Sequence, residues 1–117
     1  MPKKENRINH KLFKELSSDS NKFKTDAFLL LYKKSKDCKP YKFSVVVSKK
    51  IYKKANKRNK LKRQSRETIK NFLVLHNIHN FCLLFFLKPS LKDKDFNIVK
   101  TELEKSLLNF FKQNKDL

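Results

Sequence analysis

The sequence predicts a single domain of the α+β class, and three observations lead to that prediction. Three short apolar runs, residues 26–33, 43–48 and 80–87, have the length and composition of buried strands. Two longer stretches, residues 54–76 and 97–112, repeat apolar residues at helical spacing. Apolar residues make up 38% of the 117 residues, and 11 of them are phenylalanine. That is enough apolar surface for one core, so a wholly disordered chain is excluded.

The first half of the chain predicts one short helix and two strands. Helical spacing of the apolar residues indicates a short amphipathic helix over residues 10–17. The apolar residues of this helix are Leu12, Phe13 and Leu16. The polar stretch 17–21 is typical of a turn, and the apolar runs 26–33 and 43–48 are typical of strands. Because a link of hairpin length joins these two strands, we expect them to be antiparallel neighbours.

The second half of the chain predicts a long basic helix, a central strand and a final helix. A helical wheel of residues 54–76 places five residues on one face: Leu61, Ser65, Thr68, Ile69 and Phe72. The opposite face carries Asn59, Lys62, Arg63, Arg66 and Lys70. Residues 80–87 are apolar on both faces, which is typical of a strand inside a sheet. The final helix, 97–112, has one apolar stripe, and Asp95 or Asn97 can cap it. The stripe consists of Val99, Leu103, Leu107, Phe110 and Phe111.

The predicted boundaries are a flexible basic arm at residues 1–8, one domain at residues 9–113 and a tail at residues 114–117. The sequence contains no internal repeat and no sign of a second domain.

The net charge points to a polyanionic partner. The sequence has 30 Lys and Arg against 11 Asp and Glu, a formal charge of +19, and such self-repulsion destabilises a compact monomer. Between Cys38 and Arg66 twelve residues are basic and none is acidic. Like charges recur four apart on the long helix, at Arg58, Lys62, Arg66 and Lys70, an arrangement that destabilises an isolated helix. We therefore predict nucleic-acid binding. A mixed sheet with surface aromatics such as Phe13, Tyr32 and Tyr41 favours RNA over DNA.

Other classes of function find little support in the sequence. The acidic residues are scattered, without the pairing that acid–base catalysis needs. His76 and His79 stand three apart, but no nearby ligand completes a metal site. Cys38 and Cys82 lack neighbours at metal-ligand spacing, so both are predicted to be reduced structural thiols. The longest strongly apolar run, Phe81–Leu87, is too short to span a bilayer. No apolar signal segment follows the basic N-terminus, so we expect a cytoplasmic protein without a membrane partner.

The order of motifs resembles the protein subunit of bacterial ribonuclease P. In that family a strand ending in Ser/Ala-Lys-Lys precedes a helix with an RNRxKR signature, and an apolar strand ending near Lys-Pro follows. The corresponding segments here are FSVVVSKK (43–50), RNKLKR with QSRE (58–67) and FCLLFFLKP (81–89). The resemblance covers nearly the whole chain. Lys60 stands where the family often has Arg, which keeps the charge and loses the bidentate geometry.

The resemblance implies a fold and a function. The fold would be α-β-β-β-α-β-α, an α/β sandwich with a four-stranded mixed sheet and a left-handed βαβ crossover, as in domain 2 of ribosomal protein S5. The protein would bind a catalytic RNA, one protein per RNA subunit, and the 5′ leader of precursor tRNA. The RNA would hydrolyse the phosphodiester with Mg²⁺, and the protein alone would bind no cofactor.

The resemblance also assigns residues to the two RNA partners. Those that match the helix motif would face the RNA subunit: Arg58, Asn59, Lys60, Lys62, Arg63 and Arg66. A cleft between the sheet and the first helix would hold the leader, near Phe13, Tyr32, Lys49 and Lys50. The alternative is a ribosomal or other structured-RNA-binding protein without a role in tRNA processing.

Overall fold

In the computed structural model, which describes residues 7–38 and 40–114, one sheet has a helix on one face and two helices on the other. The strands are β1 (Asn21–Lys24), β2 (Phe28–Lys34), β3 (Tyr41–Val46) and β4 (Phe81–Leu87). The helices are α1 (His10–Ser18), α2 (Ala55–Leu75) and α3 (Phe96–Gln113). Short 3-10 helices cover Lys36–Cys38 and Pro89–Leu91. The element order confirms the predicted α+β fold, including the four strands and the mixed sheet that the resemblance implied.

The strand order in the sheet is β1-β2-β4-β3. β4 pairs antiparallel with β2 and parallel with β3, which confirms its predicted central position. The expectation that β2 and β3 are neighbours is wrong, because β4 lies between them. β4 is apolar on both faces, so a central position between two layers removes more apolar surface from water for β4 than for any other strand. The residue pattern also gave no sign of β1, a four-residue edge strand in which only Phe23 is partly buried.

The main core lies between the sheet and the pair α2 and α3. The predicted inner face of α2 is confirmed, since all five of its residues are buried. The predicted stripe of α3 is buried at four of its five positions, and Phe111 is partly exposed. From the sheet, Phe28, Phe43 and Phe85 fill the space below these helices. We call this side of the sheet the helical face.

A smaller cluster lies under α1 on the opposite side, which we call the α1 face. Its buried members are Leu16, Leu31, Cys38, Cys82 and Leu84. Ile8 packs against this cluster, and Arg7 forms an isolated parallel bridge with Phe43. The predicted flexible arm over residues 1–8 is therefore wrong for these two residues, and residues 1–6 lie outside the described part of the chain. The predicted tail lies there as well, except for Asn114.

The cysteine prediction is also wrong. Cys38 and Cys82 are joined as a disulfide, with their Cα atoms 5.7 Å apart. Spacing in the sequence gave no sign of this, because the pair is 44 residues apart and meets only when β4 enters the sheet.

Asparagine ends the long helix in a chain that has no glycine. Asn77 has a φ of 54°, in the left-handed region that most residues avoid. The N–H of Ile78 donates to the carbonyl of Leu73, as in a Schellman motif. Asn9 caps α1 through its side chain, which accepts a hydrogen bond from the N–H of Leu12 at 2.8 Å. Asp95 holds the N-cap position of α3, but its side chain makes no capping hydrogen bond.

Candidate RNA interface

The first half of α2 presents a cationic surface to solvent. Its inner face is occupied by core residues, so the intervening basic residues lie away from the core. Among the residues predicted to contact RNA, Asn59, Lys60 and Arg63 are exposed. Lys60 also lines a cavity of about 400 Å³ between α2 and the segment 91–96. These three side chains are available to a large partner that approaches from outside.

Arg58 has a different environment. Its guanidinium Nη1 donates to the carbonyl oxygens of Tyr52 at 3.0 Å and Lys53 at 2.7 Å. These bonds tie the connection between β3 and α2 to the first turn of the helix. The N-cap residue Lys54 makes no capping hydrogen bond with its side chain. Arg58 stabilises this end of the helix in another way, by holding the preceding connection through its carbonyl groups. Arg58 therefore has a structural role that the sequence pattern did not predict.

Lys62 and Arg66 line a cavity beside β3 that we call the basic cavity, about 230 Å³ in volume. Its third cation is Arg7, from the segment before α1. The other lining residues are Ile8, Phe43, Ser44 and Val45. None of the described residues that line this cavity is acidic.

Electrostatics in the basic cavity favour an anion. Burial lowers the pKa of the Lys62 ammonium, and the positive charges of Arg66 and Arg7 lower it further. Burial and the charge of Arg7 also lower the pKa of Arg66. A phosphate group in the cavity would reverse this effect, because a negative charge favours the protonated form of each neighbour. Three cationic side chains that line one cavity suit the oxygens of a phosphodiester.

The α1 face carries a second candidate surface, made of aromatic and apolar side chains. Phe13 on α1 is 36% exposed and meets Phe86 of β4 edge-on, with ring centroids 6.4 Å apart. Val46 of β3 is opposite Phe86 in the ladder, and both are partly exposed. Lysines on the same side of neighbouring strands flank this group, at positions 22, 24 and 42. We call this surface the aromatic surface.

Tyr32 lies on the other side of the sheet from Phe13, so the expectation that the two line one cleft is wrong. Its ring packs on Phe110 of α3 with centroids 4.8 Å apart, and its hydroxyl donates to Asn114 Oδ1 at 3.5 Å. The reason is the alternation of β2, which turns Leu31 toward α1 and Tyr32 toward α3. Tyr41, expected on the surface, is buried on the helical face.

Lys49 and Lys50 are exposed in the turn after β3. The turn is closed by the N–H of Ile51, which donates to the carbonyl of Ser48 at 3.1 Å. Both lysines follow Val46, the last residue of β3 and the partner of Phe86 in the ladder, after Val47 and Ser48. Their contact with the leader stays a prediction.

Sequence reasoning missed Arg7, Val46 and Phe86, as well as the flanking lysines at positions 22, 24 and 42. Arg7 was assigned to a loose arm, and no spacing in the sequence connects it with Lys62 or Arg66. Phe86 and Val46 were assigned to buried strands, and their partial exposure depends on how far α1 extends over the sheet. Of these residues, only Phe86 could have been placed from the sequence, because the alternation of side chains along β4 puts it on the same side as Cys82 and Leu84.

The described residues contain no group of three or more His, Cys, Asp or Glu side chains that could hold a metal ion. No helix among them is long and apolar enough to cross a membrane. The candidate RNA interface consists of three parts on one mixed sheet: the cationic helix α2, the basic cavity and the aromatic surface.

A sheet with an aromatic surface on one side and a cationic helix packed on the other defines a protein of the RNA-binding class. Comparison with known proteins then identifies the family. The family model described as Ribonuclease P matches residues 1–110, and the chain belongs to that family. Its members are protein components of a ribonucleoprotein endoribonuclease that processes tRNA.

Individual relatives agree with this assignment. The Ribonuclease P protein component of Rickettsia bellii (strain RML369-C) is 28% identical over 113 residues, covering 92% of this chain and 94% of the relative. The solved RNase P protein from Thermotoga maritima is 26% identical with a TM-score of 0.65, covering 86% of this chain and 89% of that one. The RNase P protein of Staphylococcus aureus has a TM-score of 0.71 at 18% identity, covering 89% of this chain and 94% of that one. At 18% identity this last likeness concerns the fold alone.

Proposed function

We propose that this chain is the protein subunit of a ribonuclease P, binding the RNA subunit with α2 and the 5′ leader of precursor tRNA on the α1 face. The single observation that supports this most strongly is the separation of two surfaces. A cationic surface lies along α2 and continues into the basic cavity at the β3 edge, and an aromatic surface lies on the α1 face. Two such surfaces suit a protein that holds two RNA segments at once.

The RNA subunit would contact the exposed basic side chains of α2 and the basic cavity. A folded RNA presents its phosphates at a dense surface, and recognition of its shape relies on contacts to phosphates and ribose. Exposed Lys60 and Arg63 supply charge at the surface of the helix, and the basic cavity adds a site for one phosphodiester.

The leader would lie on the aromatic surface. Single-stranded RNA is bound by base stacking on aromatic rings beside a cationic groove. Phe13 and Phe86 supply the rings, and lysines 22, 24, 42, 49 and 50 supply positive charge along the path. The family match favours this proposal over the alternative of an RNA-binding protein without a role in tRNA processing.

In this proposal the chemistry belongs to the RNA subunit, which uses Mg²⁺ to hydrolyse the phosphodiester at the mature 5′ end. One protein would bind one RNA subunit, in the cytoplasm. The protein's contribution would be to position the leader so that precursor tRNA binds more tightly than mature tRNA.

A reconstitution tests the proposal. Purified protein, the ribonuclease P RNA of the same source and Mg²⁺ are combined with precursor tRNA labelled at its 5′ end. Cleavage at the mature 5′ end is expected when the RNA is present, and the protein should lower the Mg²⁺ concentration needed. Protein treated with nuclease should not cleave. Cleavage by the nuclease-treated protein, or no effect of the protein on the RNA at any Mg²⁺ concentration, would contradict the proposal.

A further inference from the structure

The cysteine pair on the α1 face is a buried sulfur site that the proposed function does not use. The Cα atoms of Cys38 and Cys82 are 5.7 Å apart, within the span that a disulfide bridges. Both cysteines are buried, with 2% and 0% of their surface exposed. Either oxidation state fits this cluster, because a thiol also packs as a small apolar group.

A cavity of about 190 Å³ leads to this pair from the surface between α1 and the sheet. It is lined by both cysteines and by charged residues, three lysines and two carboxylates: Lys11, Lys33, Lys42, Glu15 and Asp37. The excess of positive charge favours an anionic reagent of small size.

The two cysteines differ in how far they can move. Cys82 belongs to the central strand, with hydrogen-bonded neighbours on both sides. Cys38 ends a three-residue 3-10 helix in the connection between β2 and β3. Of the two sulfur atoms, that of Cys38 can more easily approach a reagent in the cavity.

We propose that Cys38 and Cys82 form a reversible thiol–disulfide exchange site for a low-molecular-weight disulfide such as oxidised glutathione. The thiolate of Cys38 attacks one sulfur of glutathione disulfide, forming a mixed disulfide and releasing one glutathione thiolate. The thiolate of Cys82 then attacks Sγ of Cys38, forming the Cys38–Cys82 bond and releasing the second glutathione. The two cysteines lose two protons and two electrons, and glutathione disulfide takes up both electrons as it becomes two thiols.

Exchange of this kind alters the protein near α1. The bond closes a loop that contains β3 and α2, and it lies directly beneath Leu16 of α1. Oxidation should therefore raise the stability of the domain and hold α1 more firmly on the sheet. This inference does not depend on the proposed function, because its readouts need no RNA.

A redox titration tests the inference. Purified full-length protein is equilibrated in glutathione buffers of increasing oxidation, quenched with an alkylating reagent and weighed by mass spectrometry. The expected result is a monomer that loses two alkylatable thiols together and regains both with dithiothreitol. The oxidised form should melt higher by roughly 16 °C, given a sequence separation of 44 residues. Amide hydrogen exchange in α1 should be slower in the oxidised protein.

Two variants test the order of the steps. Cys82→Ser should trap glutathione on Cys38 as a stable mixed disulfide, and Cys38→Ser should not trap it on the enclosed Cys82. Cys38→Ala serves as a second variant if serine disturbs the cluster.

Thiols that stay alkylatable in the most oxidising buffer, or a disulfide between two molecules, would overturn the exchange site. Equal melting temperatures of the two forms would overturn the proposed effect on stability. Trapping on Cys82 in place of Cys38 would overturn the order.

Discussion

Replacing Arg58 by alanine should lower the stability of the domain as well as its affinity for RNA. The Arg58 guanidinium donates to two carbonyl groups in the connection before α2, and the change leaves both acceptors without this donor. A hydrogen bond from a charged group contributes about 1.5–3 kcal/mol when it is protected from water. Arg58 is partly exposed, so water compensates for part of the loss and we expect a total of about 1–3 kcal/mol.

This cost corresponds to a measurable shift in melting temperature. With 117 residues, the entropy of unfolding is about 0.25 kcal/mol/K, so the midpoint should fall by about 4–12 °C. Thermal unfolding followed by circular dichroism measures the shift. RNA-subunit binding is titrated separately, well below the midpoint, so that loss of fold does not contribute to the loss of affinity.

Arg63→Ala is the matched control, because it removes the same charge from an exposed position on the same helix. Exposed substitutions change stability by about 0.5 kcal/mol or less, so its midpoint should stay within about 2 °C of the wild type. Both variants should bind the RNA subunit less tightly. If Arg58→Ala and Arg63→Ala have the same unfolding midpoint, the two hydrogen bonds do not stabilise the start of α2 and the reasoning is refuted.

Three further predictions concern the core, the leader and salt. Ile69→Ala should destabilise the domain by roughly 2–5 kcal/mol in urea unfolding, because this side chain is fully buried. The folded fraction of this variant should bind RNA normally. Unchanged stability would show that α2 is rotated from its described position. Phe13→Ala should weaken binding of precursor tRNA relative to mature tRNA by about 1–3 kcal/mol, the value of one base stack. Tyr32→Ala, on the other side of the sheet, should leave that ratio unchanged, and equal losses in both variants would contradict the two-surface arrangement. Affinity for the RNA subunit should fall with salt at a slope of about −2.1 or steeper, from one phosphate contact each at Lys60, Arg63 and the basic cavity and about 0.7 per contact, and a flat response would exclude an electrostatic interface.

Every α-helix and strand of this fold except β1 could be predicted from short-range patterns. The 3.6-residue period of α2 identified five of its six buried residues, because burial of one stripe is a local property of a helix, but it missed Leu73. The continuous apolar run of β4 identified a strand covered on both faces for the same reason. The order of the strands could not be predicted this way, since β2 and β3 are close in the sequence while β4 separates them in space.

The functional surfaces were predictable only in part. The charge of α2 was evident, but its division into exposed residues, the basic cavity and the structural Arg58 depends on what packs beside each turn. Assigning Tyr32 to the leader cleft failed because a shift of one residue moves a side chain to the other face of a strand.

The sequence by itself determined the class of fold, the inner face of each long helix, the excess of positive charge and the family. The first three depend on residue type and on spacing within one segment, and the family depends on the order of three motifs along the chain. Tertiary structure alone decided which distant segments meet: Arg7 with Lys62 and Arg66, Phe13 with Phe86, and Cys38 with Cys82. These contacts form because α1 and β4 pack against the rest of the sheet. A contact between residues far apart in the sequence depends on the arrangement of whole elements, and no local pattern records it.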